Sequence, residues 1–266
     1  MTGPFTSLIT RKVAMTEALS ELEEEDNAYD RQMIVSHWNQ KKLSSTKVGI
    51  IGQGGLGFDF AVELARMGVS QIEMCDGDDV EMSNLSRQRF YPEHIGVNKA
   101  FSAIDILTKE CTGKTSLIAY PYFFMRVFDE QPDAFSSVDM LICMVDNEAV
   151  KYEAAEFGKK HKIPVVYAGV ATSMRLANVV VQDPDGPCYA CMYPKANDGD
   201  INERNECKYP AVIYIHAAII GIAVYATVAR IMGWNTHWNE YILSLDSENQ
   251  LFTHKKRPGC EICGGV

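Results

Sequence analysis

A short apolar run, a glycine-rich turn and an amphipathic segment follow one another between residues 47 and 68, in the sequence KVGIIGQGGLGFDFAVELARMG. This order predicts a strand, a tight turn and a helix. Gly52 would allow the turn, Gly54 and Gly55 would let the backbone approach a phosphate, and Gly57 would let the helix pack closely. Free N–H groups at the helix start favour an anion. The unit predicts a nucleotide site without saying which nucleotide.

Short apolar runs and helix-like segments alternate through the following hundred or so residues. Strands are predicted within residues 70–76, 115–124, 138–146 and 164–170, and helices within 97–111 and 148–161. This alternation predicts an α/β fold with a doubly wound, mainly parallel sheet, in which ligands bind at the carboxyl ends of the strands. An antiparallel extension should follow, because EYILSLDSENQLFTHKK resembles a hairpin.

The length of 266 residues is consistent with one domain. We expect three parts: an N-terminal helical arm over about 1–45, a nucleotide-binding core over about 46–170, and a C-terminal part over about 171–266. Residues 11–40 in particular are predicted to be helical.

Composition excludes several classes of protein. The net charge of −10 argues against nucleic-acid binding, which relies on clustered Lys and Arg. The longest apolar segment, 211–233, carries His216 and Arg230, so we predict a buried core helix and no membrane span. The N-terminus lacks the apolar core of a signal peptide. Eight cysteines without an export signal predict reduced thiols and a cytoplasmic protein.

The polar segment DGDDVEMSNLSRQRFYPEHIGVNKA, residues 76–100, follows the second strand. Asp76 occupies the place where a dinucleotide enzyme has its ribose-binding acid. The segment also contains Asp78, Asn84, Arg87, Gln88 and Lys99. Two cationic side chains suit a triphosphate better than the bridging pyrophosphate of a dinucleotide. An NAD-dependent oxidoreductase is therefore the weaker alternative.

The motifs GQGGLG, DGDDVEMSNLSRQ, IGVNKA and VDN occur in an order and spacing that resemble the ubiquitin-activating (E1-like) superfamily. The likeness is to its small MoeB/ThiF-type adenylyltransferases, and it runs from about residue 28 to the final RPGCEICGG. The resemblance implies a Rossmann-like ATP-binding fold and a ubiquitin-like or sulfur-carrier protein as substrate.

The resemblance also assigns roles to single residues. Asp76 matches the acid that binds the ATP ribose, and Asp146 matches the Mg²⁺-binding aspartate. Arg31 resembles an arginine finger that reaches the partner subunit's active site, so a homodimer is implied. The remaining nucleotide-binding positions are Gly52, Gly54, Gly55, Gly57, Asp78, Asn84, Arg87, Gln88 and Lys99.

Two C-x-x-C pairs, Cys188 with Cys191 and Cys260 with Cys263, predict a closed tetrahedral zinc site. Sixty-eight residues separate the two pairs, so the metal would fasten the C-terminus to the body of the protein. A redox-active pair is the alternative. Cys75, Cys111 and Cys143 are predicted to fill the core.

Cys207 lies in the polar segment NERNECKYPAV, where family members have a crossover loop with a cysteine. Arg204 and Lys208 would lower its pKa. Small members usually have a glycine soon after this cysteine, whereas here the next is Gly221. Cys207 is therefore either a catalytic residue or an exposed loop thiol.

The predicted reaction is adenylation of a carrier's C-terminal glycine, within a Gly-Gly end, with release of pyrophosphate. Sulfur transfer to a thiocarboxylate would follow, with a separate sulfurtransferase. The alternative is an E1 that passes the carrier as a thioester on Cys207 to a conjugating enzyme. A non-catalytic partner subunit and an enzyme that adenylates a small molecule are less favoured.

Overall fold

The computed structural model describes residues 11–13, 28–111, 113–195 and 210–264. The strands are β1 (Arg11–Val13), β2 (Lys47–Ile51), β3 (Gln71–Cys75), β4 (Ser116–Tyr120), β5 (Met140–Cys143), β6 (Val165–Val170), β7 (Leu176–Gln182), β8 (Glu240–Ser244) and β9 (Gln250–Phe252). The helices are α1 (Asp30–Met33), α2 (Gln40–Leu43), α3 (Gly57–Met67), α4 (Lys99–Glu110), α5 (Phe124–Glu130), α6 (Glu148–His161), α7 (Tyr189–Met192) and α8 (Ile213–Met232). Two 3₁₀ turns, Met82–Asn84 and Pro92–His94, lie between β3 and α4.

The strands of these residues form one sheet in the order β1-β4-β3-β2-β5-β6-β7-β8-β9. The five central strands, β4, β3, β2, β5 and β6, are parallel to one another. Strand β1 pairs antiparallel with β4, and β7, β8 and β9 continue the other side of the sheet in antiparallel pairs. The chain moves outward from β2 to β3 and β4, and then crosses to β5 on the other side of β2. This reversal predicts a ligand site at the carboxyl ends of β2, β3 and β5.

Helices cover both faces of the sheet, as a doubly wound fold requires. Alternate residues of β2 point to opposite faces, so Ile50 packs in one core cluster and Ile51 in the other. The first cluster includes residues of α3, α4 and α8, and the second includes residues of α5, α6 and α7. Cys75, Cys111 and Cys143 are buried in these clusters, as predicted.

Among the described residues, the prediction of a helical segment over residues 11–40 is wrong for Arg11–Val13 and is confirmed only in Asp30–Met33 and at Gln40. Arg11–Val13 forms β1, which pairs with the outer edge of β4, and α1 and α2 have four residues each. An open sheet edge presents unpaired N–H and C=O groups, and a short added strand satisfies them. Sheet pairing, which periodicity does not report, therefore determined this part of the fold.

Helix α8 agrees with the predicted core helix on one side only. It packs against β6 and β7, yet Ile213, Tyr214 and Tyr225 are exposed on its other side. The helix is long and apolar enough to cross a bilayer, but 56% of its most apolar window is buried inside the protein. The sheet thus covers one side of this apolar helix, and the other side is an exposed apolar surface.

Candidate functional site

The glycine turn between β2 and α3 has no room for side chains at its two ends. Gly52 has a left-handed φ of +87°, and a β-carbon there would lie 2.7 Å from the Val145 side chain. A β-carbon on Gly57 would lie 1.9 Å from the Gly52 carbonyl oxygen. Both positions therefore require glycine. The turn holds the start of α3 against the carboxyl end of β2. We call the side of the sheet that the carboxyl ends of β2, β3 and β5 form the ligand edge.

Asp76 follows β3 directly and is buried beside this turn. Its carboxylate accepts hydrogen bonds from the Gln53 N–H at 2.6 Å and the Asp78 N–H at 2.9 Å. Burial raises the pKa of Asp76, whereas the nearby Lys99 and the two N–H donors oppose that rise. The carboxylate is therefore fixed in orientation at the end of β3.

Lys99 begins α4 and is held against the same segment. Its ammonium group donates to the Asp78 carboxylate at 2.8 Å, and its backbone N–H donates to the Asp78 carbonyl at 2.9 Å. Asn98 caps α4 and donates from its amide to the carbonyls of Asp76 and Asp78, each at 3.0 Å. These contacts bring Asp76, Asp78 and Lys99 together.

The segment SNLSRQ, residues 83–88, begins in the 3₁₀ turn Met82–Asn84 and continues against the glycine turn. The Asn84 side-chain oxygen accepts from the Glu81 N–H at 2.9 Å, and the Asn84 carbonyl accepts from the N–H groups of Arg87 and Gln88. The Arg87 guanidinium donates to the Ser83 carbonyl at 2.8 Å. The Arg87 carbonyl oxygen lies 3.4 Å from where a β-carbon on Gly55 would be. The predicted phosphate contacts thus adjoin the predicted phosphate loop.

Three buried polar atoms surround this loop without a hydrogen-bond partner among the described residues: Gln53 Oε1, Gln88 Oε1 and His216 Nδ1. We call Gln53, Gln88 and His216 the loop set. Buried polar atoms in folded proteins are nearly always satisfied, so a cluster of this kind favours a polar ligand. A β-carbon on Gly55 would lie only 2.7 Å from His216 Nδ1.

Sequence reasoning missed two residues at this edge. His216 was assigned to a core helix, and its only signal is an imidazole within an otherwise apolar run. Phe123 precedes α5, and the Cγ, Cδ1 and Cδ2 atoms of its ring lie 2.7–2.8 Å from where a β-carbon on Gly77 would be. The ring therefore rests on the backbone next to Asp76, while 60% of the residue remains exposed.

Asp146 lies on the same edge, in the turn between β5 and α6. The preceding residue, Val145, packs against Gly52, and Asp146 itself is exposed. Asn147 caps α6 by accepting from the Val150 N–H. An exposed carboxylate beside the glycine turn has the chemistry of a ligand for a hard cation.

Arg31 is not part of this cluster. It is exposed on α1, and the neighbouring Gln32 donates to the Met67 carbonyl at 3.0 Å. Met67 ends α3, whereas the glycine turn precedes α3. A helix of 11 residues is about 16 Å long. Helix α1 and the glycine turn of one chain are thus at opposite ends of α3.

The four cysteines of the C-x-x-C pairs converge, although 68 residues separate the pairs. Their sulfur atoms all lie within 4.8 Å of one another. Cys188 Sγ is 3.7 Å from Cys191 Sγ and 3.4 Å from Cys260 Sγ, and Cys191 Sγ is 3.3 Å from Cys263 Sγ. A tetrahedron with Zn–S bonds of about 2.3 Å has S···S edges of about 3.8 Å. The donor set therefore fits zinc. Cys207 lies outside the described residues.

The model of the ThiF family matches residues 29–262. The chain belongs to the ThiF family. ThiF-family relatives include the "adenylyltransferase and sulfurtransferase uba4" of Aspergillus niger, 36% identical over 185 residues that cover 65% of this chain and 38% of the relative. The uba4 of Emericella nidulans is 30% identical over 260 residues, which cover 90% of this chain and 53% of the relative. The chain thus spans about half or less of the length of these relatives.

Solved structures with a similar fold include Escherichia coli MccB. In its complex with MccA-N7isoAsn it has a TM-score of 0.76 and 21% identity, over 90% of this chain and 75% of that one. The structure of MccB with ATP has a TM-score of 0.75 and 21% identity, over 90% of this chain and 75% of that one. At this identity, the likeness establishes the α/β fold with a mostly parallel central sheet.

Proposed function

We propose that the protein is an ATP-dependent adenylyltransferase that activates the C-terminal glycine of a ubiquitin-like or sulfur-carrier protein. One observation carries the proposal: the glycine turn, Asp76, the Asp78–Lys99 pair and the loop set converge on one edge of the sheet. Membership of the ThiF family and the uba4 relatives support the same activity.

The nucleotide would extend across this edge from Asp76 to the glycine turn. The Asp76 carboxylate would accept from the ribose hydroxyls. The phosphates would lie on Gly52, Gly54, Gly55 and Gly57 at the start of α3, with Asn84, Arg87, Gln88 and Lys99 as further contacts. The open face of the Phe123 ring would stack on the purine base, because its other face is covered by Gly77.

The reacting groups need no general base, since the carrier's C-terminal carboxylate is already a nucleophile. One of its oxygens forms a bond to the α-phosphorus, and the bond from the α-phosphorus to the oxygen of the leaving pyrophosphate breaks. Lys99 and Arg87 neutralise the charge that develops on the phosphates. Asp146 would hold Mg²⁺, which supplies further positive charge at the triphosphate.

Arg31 would act on the partner's site in a homodimer. Two observations support this arrangement: Arg31 is separated from its own glycine turn by the length of α3, and α1 and α8 both present exposed apolar residues. Ile34 is 77% exposed, and Tyr214 and Tyr225 of α8 are exposed as well. Apolar surface of this kind is typical of protein interfaces.

The four converging cysteines would hold a structural zinc ion, with no open coordination position for chemistry. Thiolate ligands require reduced cysteines, which fits a protein of the cytoplasm. The metal would fasten residues 260–263 to α7.

ATP–[³²P]pyrophosphate exchange with carriers that end in Gly-Gly tests the adenylation. Exchange that requires both the carrier and Mg²⁺ is the expected result. Absence of exchange with every such carrier, from a protein that is folded and binds zinc, would contradict the proposal. The uba4 names favour sulfur transfer as the fate of the acyl-adenylate.

Non-reducing gels of wild type and Cys207→Ala separate the two fates. Exchange without a carrier adduct agrees with direct transfer to a separate sulfurtransferase. A reducible adduct that the substitution removes would instead identify a thioester-forming E1 that serves a conjugating enzyme.

Mixing two inactive variants tests the role of Arg31 in the partner's site. In a heterodimer of Arg31→Ala and Asp146→Ala chains, one site combines an intact Asp146 with an intact Arg31 from the other chain. Random mixing should therefore restore about a quarter of the wild-type activity. No recovery despite confirmed exchange of subunits would rule out action across the interface.

A further inference from the structure

The His216 imidazole is buried between helix α8 and the glycine turn. The residue is 8% exposed, and within the described chain its Nδ1 has no hydrogen-bond partner. Buried polar atoms in folded proteins are nearly always hydrogen-bonded, so such an atom calls for an explanation. His216 lies one turn into α8, and a β-carbon on Gly55 would lie 2.7 Å from its Nδ1, so the imidazole lies directly against the glycine turn.

The surroundings of the ring favour an anion as the missing partner. Arg87 is the charged group that acts on this imidazole among the residues described, and its backbone also approaches Gly55. The other members of the loop set, Gln53 and Gln88, are uncharged. An imidazole N–H beside a guanidinium group and the start of α3 is a donor set that matches phosphate oxygens.

We propose that His216 is a further phosphate-binding residue, whose Nδ1 donates a hydrogen bond to the triphosphate of the nucleotide at the glycine turn. This inference rests on the proposed function, because it takes ATP as the anion. A side chain at position 55 would displace the imidazole from the loop, so Gly55 lets His216 reach the phosphates.

A protonation effect follows from this contact. Burial lowers the pKa of His216, and the positive charge of Arg87 lowers it further, so both favour the neutral ring in the free protein. A bound triphosphate brings negative charge beside the ring and offsets Arg87, which raises the pKa. Binding then takes up a proton, and the affinity for ATP increases as the pH falls through the pKa of the bound state.

Isothermal titration calorimetry with ATP and Mg²⁺ tests the contact in the full chain. His216→Leu keeps an apolar side chain of similar bulk, and it should weaken ATP binding by about ten- to a hundredfold. His216→Asn keeps a polar atom near the Nδ1 position but does not titrate. It should bind ATP within about threefold of wild type at about pH 8.5.

Wild type should bind ATP more tightly at about pH 6 than His216→Asn does. The ionisation of ATP is common to both proteins, so their difference isolates the imidazole. Thr227→Val is a matched control, because Thr227 is also a buried residue of α8 whose hydroxyl has no partner in the described chain, but it lies about three turns from His216. This control should bind ATP as wild type does.

This inference alone would be overturned if wild type binds ATP and both His216 variants bind it with the same affinity as wild type at both pH values. A wild-type protein that is folded and binds no ATP would overturn the proposed function and the inference with it. Equal weakening in His216→Leu and Thr227→Val would show that the effect comes from the packing of α8, which also contradicts a phosphate contact.

Discussion

The parallel and antiparallel halves of the sheet both bury polar side chains, but they satisfy them differently. At the ligand edge of the parallel half, the loop set faces the glycine turn. In the antiparallel half, Glu240 is 4% exposed and accepts from the Tyr193 hydroxyl, from Asn178 at 3.3 Å and from His254 at 2.6 Å. A buried polar network that is complete within the chain indicates a structural role, and one completed from outside indicates a binding site.

The largest expected effects come from the charged groups of the ligand edge. Asp146→Ala should abolish pyrophosphate exchange, because it removes the carboxylate that would hold Mg²⁺. Lys99→Ala should lower the exchange rate by about a hundred- to a thousandfold, because a cation is lost where negative charge develops. The exchange assay with a Gly-Gly carrier measures both.

Asp79→Ala is the control for these substitutions, because Asp79 is an exposed acid of the same segment and has no proposed role. It should keep wild-type exchange. Near-normal exchange in Asp146→Ala or Lys99→Ala would remove that residue from the mechanism.

Loss of zinc should destabilise the antiparallel half of the molecule. Cys260→Ser removes one of four converging thiolates, and we expect the zinc content to fall to near zero. A loss of about 3 kcal/mol would lower the Tm by about 6–12 °C for a chain of this length. Metal analysis and thermal unfolding measure the two effects.

Cys111→Ser is the comparison for Cys260→Ser, because Cys111 is a buried thiol outside the cysteine cluster. It should keep the zinc. A zinc-free Cys260→Ser protein with the wild-type Tm would contradict a structural role for the metal.

The Glu240 network offers a smaller test of the same comparison. Glu240→Ala leaves the Tyr193 hydroxyl and His254 without their shared acceptor, which should cost about 2–3 kcal/mol of stability. Because this network is complete within the chain, pyrophosphate exchange below the Tm should stay near wild type. Urea unfolding gives the first quantity, and a large loss of exchange in the folded variant would place Glu240 in the functional site.

Phe123→Ala should have the smallest effect. Removal of a base-stacking ring is expected to raise the KM for ATP by about five- to tenfold and to leave kcat nearly unchanged. Phe123→Trp should retain the wild-type KM. Inhibition by tripolyphosphate, which has no base, should be equal in all three proteins, and an unchanged KM in Phe123→Ala would exclude stacking.

The strands, the glycine turn and the cysteine pairs were predictable because each has a local signal. The predicted helix over 148–161 agrees with α6, and the hairpin predicted within 240–256 corresponds to β8 and β9. The core thiols also follow from apolar runs. These features depend on neighbours in sequence, which is the information that periodicity and spacing contain.

Other features depend on contacts between distant segments. The imidazole of His216 meets Gly55 across more than 150 residues, and Phe123 meets Gly77 across more than 40. Strand β1 exists because β4 offers an edge to Arg11–Val13. None of these contacts leaves a pattern in its own segment, so the sequence predicted a core helix, a longer strand and a helical arm instead.

The position of α1 at the Met67 end of α3 has a consequence for how the protein behaves on dilution. If Arg31 of each chain acts on the nucleotide bound by the other chain, a monomer has every part of the proposed site except this arginine. Specific activity would then be constant above the dimer Kd and fall in proportion to protein concentration well below it. The protein's own abundance would set its activity, in addition to the supply of nucleotide and carrier.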